Sequence, residues 1–381
     1  MRFQCEHCLG LVAIDDDAFG QHVACGHCES IVLVPESRFG RNAVIDDYVI
    51  RAELGHGGMG VVYLAHQLSL DREVAVKVLM DQFTQNEDFV LDFVREARAA
   101  ARINHRNVVQ AYAVGQEDGI YYLAMECVKG MTLKEHMDEV GFISQKYALE
   151  IVRSVADALG FAWDLQKLIH RDIKPDNIML GGDEAKLMDL GLARFENDTL
   201  ASSEDEDEVM GTPQYISPEQ LVGAEMDIRG DFYSLGATLF HAITGEFPFN
   251  GETAAEIAAK HLQAELVPPS QVKKGISKKL DKLVIKMMSK RPDDRHPDAK
   301  SLVAEIDEIL DELNGKSSST VSTGTGRNAR MKSMNNTTRA GLRVRKSKSA
   351  KYANSYSGLS FMSLICFAIS AVCYVLAVTL T

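Results

Sequence analysis

Nothing at the start of this chain reads as an export signal, because Met1 leads straight into a cysteine pair. The expected compartment is a reducing one, which argues against a disulfide framework for the 7 cysteines. Acidic residues are missing from 314–358, while Lys316, Arg327, Arg330, Lys332, Arg339, Arg343, Arg345, Lys346, Lys348 and Lys351 are basic. Large apolar side chains are also scarce across 313–357, so this stretch cannot bury enough surface to offset chain entropy. A disordered basic linker is the expectation there. Charge of either sign is missing from the 22 residues 359–380. As a helix they would extend about 33 Å, against a hydrocarbon core of roughly 30 Å. One transmembrane helix is expected over 358–380, although a buried core helix is the alternative. Internal repeats are missing too, which argues against a solenoid.

What remains is long enough for a large core. The chain has 381 residues, 46% of them hydrophobic, and a formal net charge of −13 that hides the basic tail behind an acidic body. Four cysteines stand in two C-x-x-C pairs, Cys5 with Cys8 and Cys25 with Cys28. That spacing fits a four-thiolate zinc ribbon, with iron as the rival metal. A closed set of four leaves no open position, so the expected Zn²⁺ is structural. His7 and His27 lie inside the knuckles and are read as bystanders. A module of 36 residues has too small a core to fold without such a staple. Its Glu6, Asp15, Asp16, Asp17, Glu29 and Glu36 would repel phosphates, so no nucleic-acid partner is expected. Protein docking or support of the neighbouring lobe fits better. Residues 37–46 read as a linker.

From Tyr48 the pattern turns to strands, with further strands expected at 61–65, 74–78, 108–114 and 121–126, and helices at 88–103 and 145–166. Between the first two strands lies Gly55-His56-Gly57-Gly58-Met59-Gly60-Val61-Val62. Glycines there let backbone N–H groups approach phosphate oxygens, although a hairpin turn alone would look similar. The strand–loop–strand setting argues against a dinucleotide fold. Val74-Ala75-Val76-Lys77 places a lysine in an apolar strand, where its charge needs an answer; Glu96, 19 residues on, is the natural partner. An edge-strand lysine with a solvated head is the plain alternative.

The densest chemistry is in His170-Arg171-Asp172-Ile173-Lys174-Pro175-Asp176-Asn177. Asp172 can accept a hydroxyl proton, Lys174 can reach a transferred phosphate, and Asn177 can offer its amide oxygen to Mg²⁺. Asp189 follows 12 residues after Asn177 and offers a carboxylate to the same ions. Phosphoryl transfer needs charge neutralisation and in-line placement more than covalent help, and these groups supply both.

With these motifs, residues 47–310 resemble a Hanks-type serine/threonine protein kinase, most like the bacterial members. The resemblance implies an α+β, bilobal fold over 47–312, with a β-rich lobe and an α-rich lobe and ATP with Mg²⁺ (or Mn²⁺) between them. It implies that Asp172 is the catalytic base, that Asn177 and Asp189 hold the metal, and that Lys77 and Glu96 form the activating pair. It also implies an adenine pocket walled by Leu54, Val62, Ala75 and Met179. Met125 would be the gatekeeper, the backbones of Glu126 and Val128 would contact adenine, and Gly55, Gly57 and Gly60 would lie over the phosphates. Glu219 and Arg295 resemble the pair that buttresses the helical lobe. Lys174 and Thr212, the latter in Gly211-Thr212-Pro213, resemble the serine/threonine class.

Three positions depart from the family pattern. Leu190 stands for the usual Phe after Asp189, Ser217 for an Ala before Pro218, and Gly230 for a Ser before the helix aspartate Asp231. None removes a charged catalytic group.

The expected placement is the cytoplasmic membrane, single-pass, with the kinase in the cytoplasm and the basic run before the helix kept on that side. Protein substrates, signal transduction and homodimers for trans-autophosphorylation follow as expectations. The rivals are a non-catalytic scaffold of kinase shape and a nucleic-acid regulator led by the ribbon. Arg171 belongs to a phosphate-binding pocket in such kinases, and Thr199, Ser202, Ser203 and Thr212 are the candidate regulatory sites. The run Glu204-Asp205-Glu206-Asp207-Glu208 reads either as a solvated loop or as carboxylates that partly satisfy Arg171 without phosphate. On the second reading, neutralising this run lowers the activity of dephosphorylated enzyme in a phosphotransfer assay. Unchanged activity dismisses it.

Overall fold

The computed structural model describes residues 1–57, 60–182, 184–189 and 213–315, without the side chains of Asp16, Asp88, Asp92 and Glu96. Thr199, Ser202, Ser203, Thr212, the acidic run, the basic tail and the apolar segment 358–380 lie outside the described residues. Among the described residues no helix is long and apolar enough to cross a membrane.

Two-residue alternation of apolar side chains builds the first lobe. Strands β1 (Arg2–Gln4), β2 (Leu11–Ala13), β5 (Ala43–Ile45), β6 (Tyr48–His56), β7 (Gly60–Gln67), β8 (Arg72–Leu79), β9 (Ala111–Glu117) and β10 (Ile120–Glu126) form an 8-stranded sheet in the order β2-β1-β5-β6-β7-β8-β10-β9. Val74, Val76 and Val78 of β8 join Ile50, Tyr63 and Tyr122 in one core. On the opposite face, Leu79 and Leu123 pack on Phe89, Val90, Phe93 and Ala97 of helix α1 (Glu87–Ala100). The separate hairpin of β3 (His22–Ala24) and β4 (Ile31–Leu33) completes the amino-terminal module.

Three sequence expectations change here. The linker 37–46 is not a plain connector: its end forms β5, which pairs with both β1 and β6. The strand expected at 108–114 begins at Ala111, because Val108 instead makes a parallel bridge to Leu187 in the other lobe. The helix expected at 88–103 ends at Ala100. The helix expected at 145–166 is found as Gln145–Gln166.

The second lobe is helical: α2 (Leu133–Val140), α3 (Gln145–Gln166), α4 (Ile228–Thr244), α5 (Ala254–Gln263), α6 (Lys278–Met287) and α7 (Ala299–Leu313). Thr132 and Glu135 close a capping box at the start of α2, satisfying N–H groups the helix itself cannot. Helix α4 is buried over almost its whole length, with Phe232, Tyr233 and Leu239 among the core side chains. A small sheet of β11 (Met131–Thr132), β12 (Ile178–Gly181) and β13 (Glu184–Leu187) lies at the junction of the lobes.

Arg295 is fully buried, and each of its five N–H groups has an acceptor. Two are the Glu219 oxygens at 2.6 and 2.8 Å; the rest are the carbonyls of Ser289, Arg229 and Lys290. Removing the carboxylate alone leaves a buried cation unanswered. Glu219→Ala is therefore expected to cost about 3–5 kcal/mol in urea unfolding, and a double replacement by apolar residues much less. Equal losses for both would show that the charge is not what matters.

Candidate active site

Register across the first sheet lines up residues expected at the nucleotide. Gly55 pairs with Val62, Val62 with Lys77, and Ala75 with Met125. Partners across strands share a face, as do residues two apart, so Val62, Ala75, Lys77 and Met125 stand on one side of the sheet. Ala75 and Met125 are buried, while Leu54 at the strand edge is half-exposed. Val128 follows β10, and Met179 lies on β12, opposite Thr132 of β11.

The glycines differ in what they require. A Cβ on Gly60 would come within 2.2 Å of the Val78 carbonyl oxygen, so only glycine allows this strand approach. A Cβ on Gly55 or Gly57 would meet nothing within 4 Å. Protein packing therefore does not demand glycine at those two positions; the close approach of a ligand would. Gly58 and Met59 lie outside the described residues.

Lys77 carries its ammonium across to the other lobe, where Nζ donates to Asp189 Oδ2 at 3.0 Å. Partial burial would push the Asp189 carboxyl up, but Lys77 outweighs it and holds the group below the usual carboxylate range. Glu96 lies on α1 as expected, but its side chain is outside the described residues.

The loop after α3 forms the floor. Asp172 accepts from Lys174 Nζ at 2.7 Å and from Asn177 Nδ2 at 2.7 Å, and Asn177 Nδ2 also donates to the Asp172 carbonyl at 2.8 Å. Base candidate, phosphate-directed lysine and metal-directed amide thus share one hydrogen-bonded group. The Met188 amide donates to the Asn177 carbonyl at 2.9 Å, which holds the Asp189 turn beside the loop.

Two of these residues sit in left-handed backbone, Arg171 at φ 68° and Asp189 at φ 53°. Such conformations cost energy in non-glycine residues and persist only where surroundings fix them. For Arg171 the buried Asp231, in the first turn of α4, provides that fixing: its oxygens accept from the His170 and Arg171 amides, both at 2.8 Å. Burial pushes the Asp231 carboxyl up, against the pull of His170 and Arg171. Gln220 Nε2 donates to the Arg171 carbonyl at 3.0 Å, and the buried His170 ring bonds the Met188 carbonyl at 2.7 Å. Asp231 entered the sequence reading only as a helix aspartate, and Gln220 not at all. Their signal is a contact about 60 and 50 residues away, which no local pattern carries.

Glu126 was expected to act through its backbone. Its carboxylate is tied down separately, by Lys186 Nζ at 2.8 Å, which fixes the strand end next to Val128.

In the amino-terminal module, the four sulfurs of Cys5, Cys8, Cys25 and Cys28 lie within 4.8 Å of one another. Cys5 to Cys28 and Cys8 to Cys25 are each 3.8 Å. Four sulfurs at zinc–thiolate bond length in a tetrahedron stand roughly 3.8 Å apart, so the donor set fits that ion. It is far too wide for a disulfide. His27 Nε2 is paired with the Leu11 carbonyl at 2.9 Å, in keeping with a bystander role.

A curled sheet and a helical lobe, bridged by a lysine–aspartate pair above a loop of Asp, Lys and Asn, define a two-lobed phosphotransferase architecture. The protein kinase domain model matches residues 48–305, and the chain belongs to the protein kinase family. Over 265 residues it is 38% identical to the serine/threonine-protein kinase PrkC of Bacillus subtilis, covering 69% of this chain and 40% of that one. Over 266 residues it is 39% identical to the serine/threonine-protein kinase PknB of Mycobacterium tuberculosis, covering 68% and 42%. The kinase domain of M. tuberculosis PknI, a solved structure, matches with a TM-score of 0.56 at 26% identity, covering 70% of this chain and 96% of that one. The chain spans about two-fifths of the length of the curated relatives it matches.

Proposed function

We propose that this chain is a serine/threonine protein kinase that transfers the γ-phosphoryl group of ATP to hydroxyl groups of protein substrates. The observation that carries the reading is the convergence of Lys77, Asp172, Lys174, Asn177 and Asp189 at the junction of the lobes. Asp172 orients the acceptor hydroxyl and takes its proton as the oxygen–phosphorus bond forms and the bond to the ADP oxygen breaks. Lys174 balances charge on the moving phosphoryl group. Lys77 holds the α and β phosphates, with Glu96 as its second carboxylate partner beside Asp189. Asn177 and Asp189 would hold Mg²⁺, which supplies charge neutralisation when bound. Leu54, Val62, Ala75, Met125 and Met179 pack the adenine, and the Glu126 and Val128 backbones meet its edge.

Cys5, Cys8, Cys25 and Cys28 would hold one structural Zn²⁺. The segment 358–380 would anchor the chain to the cytoplasmic membrane, with the catalytic lobes on the ATP side and a role in signal transduction. Charge supports this placement, since the basic residues before the segment suit an anionic surface.

Phosphate transfer from labelled ATP to a generic protein substrate tests the central part. Asp172→Ala is expected to lower incorporation by at least about a hundredfold, the scale of general-base help. Incorporation equal to that of the unaltered chain would overturn the mechanism and favour a scaffold.

A further inference from the structure

The amino-terminal module is not a bead on a string. Strand β1 pairs antiparallel with β5, Arg2 opposite Val44 and Phe3 opposite Ala43, and β5 pairs with β6, the strand that leads into the glycine loop. The Gln4 amide extends the seam by donating to the Asn42 carbonyl at 2.8 Å. Arg51 of β6 clamps both sides of it, with one nitrogen on Asn42 Oδ1 and the other on Gln4 Oε1, each at 2.8 Å. Phe39, in the presumed linker, stacks on Tyr63 of the lobe core with ring centroids 5.6 Å apart.

A second seam closes the curl of the sheet. Arg2 on β1 forms an ion pair with Glu117 at the far end of the strand order, on β9. The other oxygen of Glu117 accepts from the Asp46 amide just after β5, and the Asp46 carboxylate accepts from the Tyr122 hydroxyl of β10. The module therefore touches both ends of the lobe's sheet, and Glu117 joins them. Cys5 follows β1 directly, and Phe3 and Cys5 are buried in the module's own small core with Cys25, Val32 and Val34. That core has few members, so without metal it has little to hold β1 in place.

We propose that the metal-loaded module is an integral strap of the ATP-binding lobe, whose partner surface is that lobe's own β5–β6 edge and Glu117, so that metal occupancy sets the stability of the lobe. The inference rests on the reading of the four cysteines as a zinc site. Binding energy at the cysteines passes through β1 into β5 and β6, and the coupling is reciprocal: whatever loosens the seam weakens the metal site. An isolated docking module would show neither effect.

The test uses the full chain, loaded with zinc and then stripped by a competing chelator, with amide hydrogen exchange as readout. Elemental analysis first counts zinc, and a content well below one per chain overturns the zinc reading by itself. With zinc present, stripping is expected to speed exchange of β5 and β6 amides by about tenfold or more, alongside those of β1 and β2, while α4 stays unchanged. Fast exchange confined to β1–β4 overturns the strap. Because cysteine variants can fail to fold, Arg51→Met and Glu117→Gln provide the second arm with all four thiols intact. Each is expected to lower zinc affinity in chelator competition by about fivefold or more, within the usual range of coupling between sites. Affinity equal to that of the unaltered chain, in both variants, contradicts the proposal.

Discussion

The pairing of Lys77 with Asp189 is the point on which the geometry of the candidate site depends. One partner belongs to the sheet and the other to the helical lobe, so the pair exists only when the lobes sit in register. Each half is prepared locally. Lys77 stands on the face shared with Val62 and Ala75, and Asp189 is held in a strained turn next to the loop that carries Asp172 and Asn177. The left-handed Arg171 at the start of that loop has its own counterweight in Asp231, a buried carboxylate in the first turn of α4 that accepts from the His170 and Arg171 amides. The rigid helical core thus fixes the loop, and the loop places the charges that a phosphoryl group would meet.

The sheet is the less self-sufficient lobe. Its interior core is drawn from β5, β6, β7, β8 and β10, with Tyr48, Tyr63 and Tyr122 packed among Ile, Val and Ala, and its curl leaves two ends to be joined. Here those ends meet through Arg2, Asp46 and Glu117, with strands from the cysteine module extending the sheet by pairing rather than by loose contact.

Much of the candidate site was legible because its motifs are short and their geometry local. The glycine turn between two strands, the lysine in an apolar strand and the Asp–Lys–Asn loop each need only a few neighbours to be recognised. The four cysteines were legible for the same reason: each knuckle is four residues long. Less legible was whatever depends on distant partners. Residues 43–45 are too short to announce a strand and become one only between β1 and β6. Val108 looks like the start of β9 but is taken by Leu187. Arg51 and Glu117 look like ordinary surface charges until the curl of the sheet brings Gln4, Arg2 and Asp46 to them.

Equilibrium binding of ATP to the full chain, with and without Mg²⁺, addresses the shared site most directly when the unaltered protein is compared with Asp189→Asn. If Lys77, Asn177 and Asp189 surround one nucleotide–metal complex, Mg²⁺ strengthens ATP binding in the unaltered chain and this gain is lost in the variant. An equal gain in both would mean that Asp189 does not face the metal-bearing phosphates, and the convergence argued here would be wrong.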